Sequence, residues 1–318
     1  MIKQSREADV LKLDKATTLL CEGKPREAEA LFREVCAGFD AKEGKDIRES
    51  ALSMVTDDQR LAYPGEDYEK VLLRFYLSLC NLLHDGSDAS AYALQVNEKQ
   101  QQIIQAAAGS GPEGKNPKDS YKLVAAGAYL YAALREETHT NYDDVARALE
   151  QVAKWQPDYP AIQADLQRAK TGHHSQKGHG VVYVFTMVGR GPYKEERVEP
   201  VSTVSVLVAD RILSALGRQT LPPNIAPIKV PRVVRQVSSV QAVSVGVDGK
   251  PAGQTQTITD VSKMAMEQCD AVLAETIARA VVRRIVKKGI VYGAKEAAGV
   301  VKNGYVSLAL DILGVAWK

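Results

Sequence analysis

The strongest constraint on this chain is a helical-hairpin pattern that occurs more than once in its first half. Between Tyr142 and Trp155 the apolar residues Val145, Leu149, Val152 and Trp155 recur at helical spacing and share one face. Pro157 and Pro160 end that helix, because proline has no amide hydrogen to donate and its ring clashes with the preceding turn. The segment before it, Tyr121 to Leu134, supplies a partner helix rich in small residues (Ala125, Ala126, Gly127, Ala128, Ala132 and Ala133), which let two helices approach closely. The same spacing returns from Asp14 to Phe39. Ala16 and Leu20 lie on a first helix, Gly23-Lys24-Pro25 makes the turn, and Ala28, Phe32 and Val35 follow. A further pair lies between these. Its first helix, Tyr68 to His84, carries Val71, Leu72, Phe75, Leu79, Leu82 and Leu83; Asp85-Gly86-Ser87-Asp88 breaks it, and Ala89 to Ala108 resumes before the loop Gly109 to Gly114. Each hairpin exposes an apolar face that only a stacked neighbour can cover.

Such units are similar to tetratricopeptide repeats, for which the Gly-x-x-x-x-Ala-x-x-x-Phe spacing from Gly23 to Phe32 is typical. The expected class is α+β. An all-α tetratricopeptide-like helical solenoid spans residues 1–170, a linker spans 171–180, and a smaller α/β domain with a mostly antiparallel sheet and long C-terminal helices spans 181–318. A plain helical bundle without a concave face is the alternative for the front half.

In the back half, Val181 to Val188 is β-branched and aromatic and apolar on both faces, which predicts a central strand. Val233 to Val247 predicts a second strand, ending at the hairpin signal Asp248-Gly249, with Gln254 to Thr259 returning. Val201 to Leu216 is ambiguous, its second half reading as helix, and proline-rich Asn224 to Pro231 reads as an extended connector. Asp260 to Lys288 predicts one long helix with an apolar stripe at Met266, Cys269, Leu273, Ile277 and Ala280. In the tail from Gly289 to Lys318, glycines punctuate apolar residues, which implies close packing or helices that break and turn.

At 25% charged and 45% hydrophobic residues, the composition indicates neither a disordered chain nor a membrane bundle. Charge is unevenly placed. From Gly180 to Lys318 there are 18 Lys and Arg against 11 Asp and Glu, a surplus of seven, and Lys177 adds one more; as the whole chain stands at +2, the first 170 residues carry −6. Different surfaces with different partners are the functional reading of that asymmetry. Cys21, Cys36, Cys80 and Cys269 form no CxxC pair and sit in apolar helical contexts, so buried free thiols are expected, with a Cys21–Cys36 disulfide as the alternative. Met1 to Leu13 lacks the apolar core of a secretory leader, and no stretch is long and apolar enough to span a bilayer, so the chain as given is expected to be cytoplasmic.

No catalytic motif is present. Gly189-Arg190-Gly191-Pro192 and Gly246-Val247-Asp248-Gly249-Lys250 miss the Walker pattern, and neither HExxH nor Gly-x-Ser-x-Gly occurs. His173, His174 and His179 lie in a glycine-rich linker with no fixed geometry, so neither a metal nor a cofactor is expected, nor a small-molecule substrate.

The segment Asp57 to Val71, with its Tyr63-Pro64-Gly65-Glu66-Asp67-Tyr68-Glu69 core, resembles a poorly characterised family of bacterial proteins with tetratricopeptide-like repeats. Asn97-Glu98-Lys99-Gln100 and the turn Gly189-Arg190-Gly191-Pro192-Tyr193-Lys194-Glu195-Glu196 are similar to further segments of that family. The resemblance implies a non-enzymatic protein. Many members look like envelope lipoproteins, and some are encoded near lipoproteins tied to cell-wall synthesis. This chain has no lipobox cysteine near its start, and family members continue past the equivalent of Trp317-Lys318; a periplasmic or membrane-anchored location is implied where a leader is missing. The leading expectation is a protein-interaction or assembly scaffold, with Tyr63, Tyr68, Tyr76 and Asn97 as partner-surface candidates. The alternative is a peripheral binder of anionic membrane through Arg279, Arg283, Arg284 and Lys287; nucleic acid is not an expected partner. Read from residues alone, the Tyr63 turn starts a helix, with Asp67 as its expected cap and three carboxylates near the helix's positive end.

Overall fold

A computed structural model describes residues 8–43, 63–111, 114–172, 177–215 and 225–297, with backbone alone at 43, 215 and 287–297. The front half is a series of helices: α1 (Ala8–Cys21), α2 (Pro25–Glu43), α3 (Asp67–Leu82), α4 (Ala89–Ala106), α5 (Ala125–Glu136), α6 (Tyr142–Trp155) and α7 (Ile162–Thr171). Each packs most extensively on its neighbours in sequence, and side chains also reach one helix further, from α5 to α7 and from α2 to α4.

The expected apolar spacings bury as read. Ala16, Leu20, Ala28, Phe32 and Val35 share a core with Phe39, Leu73, Leu77 and Cys80. Val145, Leu149 and Val152 share another with Ala125, Ala128, Tyr129, Ala132 and Ile162. Helix α3 departs from its expected single stripe. It lies between α2 and α4 and so buries two faces: Leu73, Leu77 and Cys80 turn to the first core, and Val71 turns to Val96, Ile103 and Tyr121. Leu82 and Leu83, read as part of the stripe, stay 39% and 64% exposed at its end.

The small-residue helix α5 does what its composition suggests. Gly127 lies against Val96 of α4 so closely that an added methyl carbon would meet two Val96 carbons at 2.7 Å. In α2, by contrast, a methyl at Gly38 would meet only Asp9 at 3.6 Å, an ordinary contact.

In the back half, β1 (Tyr193–Glu199) pairs antiparallel with β2 (Ile228–Val234), Tyr193 opposite Val234 and Glu199 opposite Ile228. Between them in sequence runs α8 (Thr203–Ala215), helical in both halves of the segment read as ambiguous. The proline-rich connector overlaps β2, which accommodates Pro231 because it has a partner on one side only. A separate hairpin, β3 (Ser244–Val247) and β4 (Lys250–Gln254), turns at Asp248-Gly249, both with positive φ, as a two-residue hairpin turn requires. Its residues are almost all exposed.

The expected single helix from Asp260 is two, α9 (Val261–Ala271) and α10 (Leu273–Ala297), with Asp260 capping the first by accepting the Lys263 N–H at 2.9 Å. The two helices meet at Val272 and bury their residues against different neighbours. Met264, Ala265 and Gln268 are buried in α9, Met266 is exposed, and Ile277, Ala278, Val281, Val282 and Val286 of α10 close a core with Ala209, Leu213, Ile228 and Val230. Gly289 and Gly293 lie within α10 and do not interrupt it; residues 298–318 of the glycine-punctuated tail lie outside the described residues. Met264 joins the core of Val71, Val96 and Tyr121, so α9 ties the two halves together. Among the described residues no helix is long and apolar enough to cross a membrane.

Val181 to Val188, expected as a central strand, belongs to no hydrogen-bonded ladder among the described residues. Its aromatic side chains pack on α5–α7 instead. All four cysteines are free; Cys21 is exposed where burial was expected, and Cys80 is fully buried.

Two outcomes test this packing. Gly127→Ala should lower stability by about 1–3 kcal/mol despite alanine's better helix propensity, because the methyl overfills the α4–α5 contact. Gly38→Ala should raise it by about 0.5–1 kcal/mol. Urea denaturation of the two variants measures both. Burial, and then the charge of Glu29, pushes the Cys80 thiol up to about 12. A thiol reagent at neutral pH should therefore label Cys21 in the native protein and Cys80 only after unfolding, as read by peptide mass spectrometry.

Candidate functional site

Two of the three motif segments singled out in the sequence, around Tyr63 and around Lys194, meet in space. The turn before α3 is shaped by Gly65, whose φ of +75° and packing against the Phe39 ring leave no room for a side chain. Glu66, not the expected Asp67, is the residue that precedes the helix, and its backbone N–H donates to the Glu69 carboxylate at 2.8 Å. The Tyr63 hydroxyl donates to the same carboxylate. Lys42 donates to the Tyr63 carbonyl at 2.8 Å and pairs with Asp9 at 2.6 Å, fastening the turn to α1 and α2. Asp67 pairs with Lys118 at 2.6 Å and accepts the Tyr121 hydroxyl at 3.0 Å. Lys194, from the Gly189–Glu196 segment, forms an ion pair with Glu66. Residues 57–62 of the motif lie outside the described residues.

The electrostatics of this junction favour protonated phenols. Burial, followed by the nearby Glu69 charge, holds the Tyr63 and Tyr68 hydroxyls above the ordinary tyrosine range. Burial also raises Glu69, outweighing the Tyr63 and Glu66 hydrogen bonds that stabilise its charge. A phenol held protonated is a hydrogen-bond donor and not a base, so the cluster orients the chain entering α3.

Tyr63 and Tyr68 therefore sit together. Tyr76 does not join them: it stacks on Phe32, ring centroids 5.5 Å apart, in the first core. Asn97, on α4, keeps a buried Oδ1 with no hydrogen-bond partner among the described residues. Of the basic candidates, Arg279 pairs with Glu275, Arg283 is half-buried and Arg284 is exposed; the side chain of Lys287 lies outside the described residues.

A second constellation carries no sequence motif. Glu136, 1% exposed at the end of α5, accepts two hydrogen bonds from Arg168 of α7, at 2.7 and 3.1 Å, and one from Tyr183. Arg168 also pairs with Asp165 at 2.7 Å, and Asp165 accepts the Tyr129 hydroxyl at 2.6 Å. The rings of Tyr183 and Phe185 stack on each other and both meet Tyr129 edge-on. The run after the linker is thus strapped across α5–α7 by a buried charge and a cluster of rings. In sequence, Glu136 and Arg168 look like solvent-facing helical charges. The one readable signal was the two-residue spacing of Tyr183 and Phe185.

A shallow groove of about 450 Å³ lies between the α3–α4 turn and the end of α5, lined by Leu82, Asp85, Ser90, Leu134, Arg135 and Glu137. Among the described residues no group of three or more His, Cys, Asp or Glu side chains gathers with metal-binding geometry. His173 and His174 lie outside the described residues. No protein-family model, curated protein or solved structure matches this chain.

Arg168→Ala would leave a buried carboxylate without its cation and should cost about 3 kcal/mol. Tyr183→Phe removes one hydrogen bond to a charge and should cost about 1.5 kcal/mol. Urea denaturation gives both values, and limited proteolysis near residues 177–185 should accelerate in the first variant before the second.

Proposed function

We propose that this protein is a non-enzymatic interaction or assembly scaffold. In this reading its helical half is a tetratricopeptide-like solenoid that grips a segment of a protein partner, while the C-terminal half docks a second component. The observation that carries it is nearest-neighbour packing: α1 through α7 each contact the next helix in sequence. That one-dimensional stacking is how solenoids are built, and it leaves inter-helix turns side by side along one edge. The groove between two such turns supplies a grip, with exposed Leu82 for an apolar anchor and Arg135 and Glu137 for polar contacts at the rim.

Tyr63 and Tyr68 enter this reading as supports. They hold the entry to α3 and the joint with Lys194, and so set how the two halves present their surfaces. The family resemblance favours the bacterial cell envelope as the setting.

The test is affinity capture with wild-type protein and a Leu82→Asp/Arg135→Ala variant, run side by side with isotope-labelled quantification. Both changes fall at exposed or half-buried positions, so the variant should keep its circular dichroism spectrum and melting temperature. A partner recovered by the wild type should fall at least about tenfold, as expected for loss of 1.4 kcal/mol or more. Equal recovery of every protein by two folded samples would remove the groove from the reading.

A further inference from the structure

The groove beside Leu82 is bordered by two helix ends of the same sign. Helix α3 stops at Leu82 and α5 at Glu136, and the lining residues Asp85, Glu137 and Thr138 follow directly after them. A helix C-terminus carries roughly half a negative charge on its unsatisfied carbonyls, and cations are the side chains that stabilise it. Here carboxylates stand there instead. The last turn of α3 has no basic residue. Arg135, in the last turn of α5, is answered by Asp144 of α6 at 3.3 Å and lies over the Tyr131 ring, 5.8 Å from its centroid. Ser90 brings the first turn of α4 to the same groove, and that positive helix end is preceded by the exposed carboxylate of Asp88.

The two lining carboxylates have unlike explanations. Asp85 shapes the turn into α4, accepting the Ser87 N–H at 2.9 Å and the Asn81 amide at 3.2 Å. Its bonds from Ser87 hold its carboxyl below the ordinary aspartate range, so it stays charged, and its side chain is 50% exposed. Glu137 has no such local role. It is exposed, directly follows the last residue of α5, and makes no ion pair or side-chain hydrogen bond among the described residues. An acid at that position costs the helix stability. Natural chains accept local costs of this kind at sites of function.

We infer that the groove takes a basic protein segment, whose lysine or arginine reaches Glu137 and Asp85 while an apolar side chain beside it seats on Leu82 and Leu134. Charge complementarity decides the occupant. The rim combines two negative helix ends with two carboxylates, and Arg135, the cation that lines the groove, is already paired. Lysine and arginine also match the shape of the site, since their aliphatic stems cover apolar surface while the charged head stays at the wet rim. An acidic segment would meet like charge there and be rejected. This inference rests on the groove reading and adds the chemistry of the partner.

The test uses full-length protein with labelled leucine methyls and two short peptides. One carries a leucine between lysines in a glycine–serine background; its twin has glutamates in place of the lysines. The lysine peptide should shift the methyl resonances of Leu82 and Leu134 and leave Leu11 of α1 unmoved, the twin should shift none, and added salt should weaken the binding. Glu137→Lys should bind the lysine peptide at least about threefold more weakly. The same variant should have a higher urea midpoint than the wild type, because a cation suits that helix end, so its loss of binding is not a loss of fold. Glu98→Lys, the same charge change elsewhere on α4, should bind as the wild type does. Equal binding of the two peptides overturns the inference, as does undiminished binding by Glu137→Lys. Leu82 and Leu134 methyls that move with protein concentration alone would give the groove to a second copy and overturn it too. Affinity capture separates the two readings: a partner lost by Leu82→Asp/Arg135→Ala but fully kept by Glu137→Lys preserves the groove and overturns the charge, whereas a partner kept by both variants removes the groove and the inference with it.

Discussion

Helix α5 has to be buried on two sides, and most of the molecule's internal order depends on that. Ala125, Ala128, Tyr129 and Ala132 face α6 and α7, while Ala126 and Gly127 face α4. No large side chain fits on the second side, where Val96 already fills the space. The same helix reaches the C-terminal half twice. The Ala126 N–H donates to the Thr259 hydroxyl at 3.2 Å, and Glu136 holds Tyr183. Close backbone approach, normally a local packing matter, here fixes both the helix stack and the path of the chain that leaves it.

The junction at Glu66 and the strap at Glu136 solve one problem by different means. Both join a helical half of net −6 to a half of net +7. At Glu66 the pair with Lys194 is partly exposed, so its own contribution is small, on the order of 0–1 kcal/mol, and the turn is held mainly by Gly65 and the Tyr63–Glu69 bond. At Glu136 the carboxylate is out of water, so it needs Arg168 and Tyr183 together. Of the two, the Glu66–Lys194 pair brings opposite charges together from the two halves, whereas at Glu136 the cation, Arg168, belongs to the helical half itself.

What was legible in the sequence was local. Helical spacing placed Val145, Leu149, Val152, Phe32 and Val35 in cores, because a helix next to one neighbour buries one stripe. It failed for α3, whose two neighbours bury two faces and whose Leu82 and Leu83 lie beyond both. It failed for Val181–Val188, where apolar character on both faces had two causes: ring packing on the helices and an uncovered outer side. The helix break at Val272 had no glycine or proline to announce it. The motif around Tyr63 was found, though its capping residue was displaced by one position. The Glu136 cluster was not legible, since its members are 47 positions apart for Tyr183 and meet only through the fold.

The hairpin β3–β4 stands apart from all four cores, its side chains almost entirely in solvent and its reversal confined to Asp248 and Gly249. Residues spliced in at that tip would lengthen a loop without displacing any buried atom. A fluorophore or an epitope placed there would report on the intact protein without entering any of its cores.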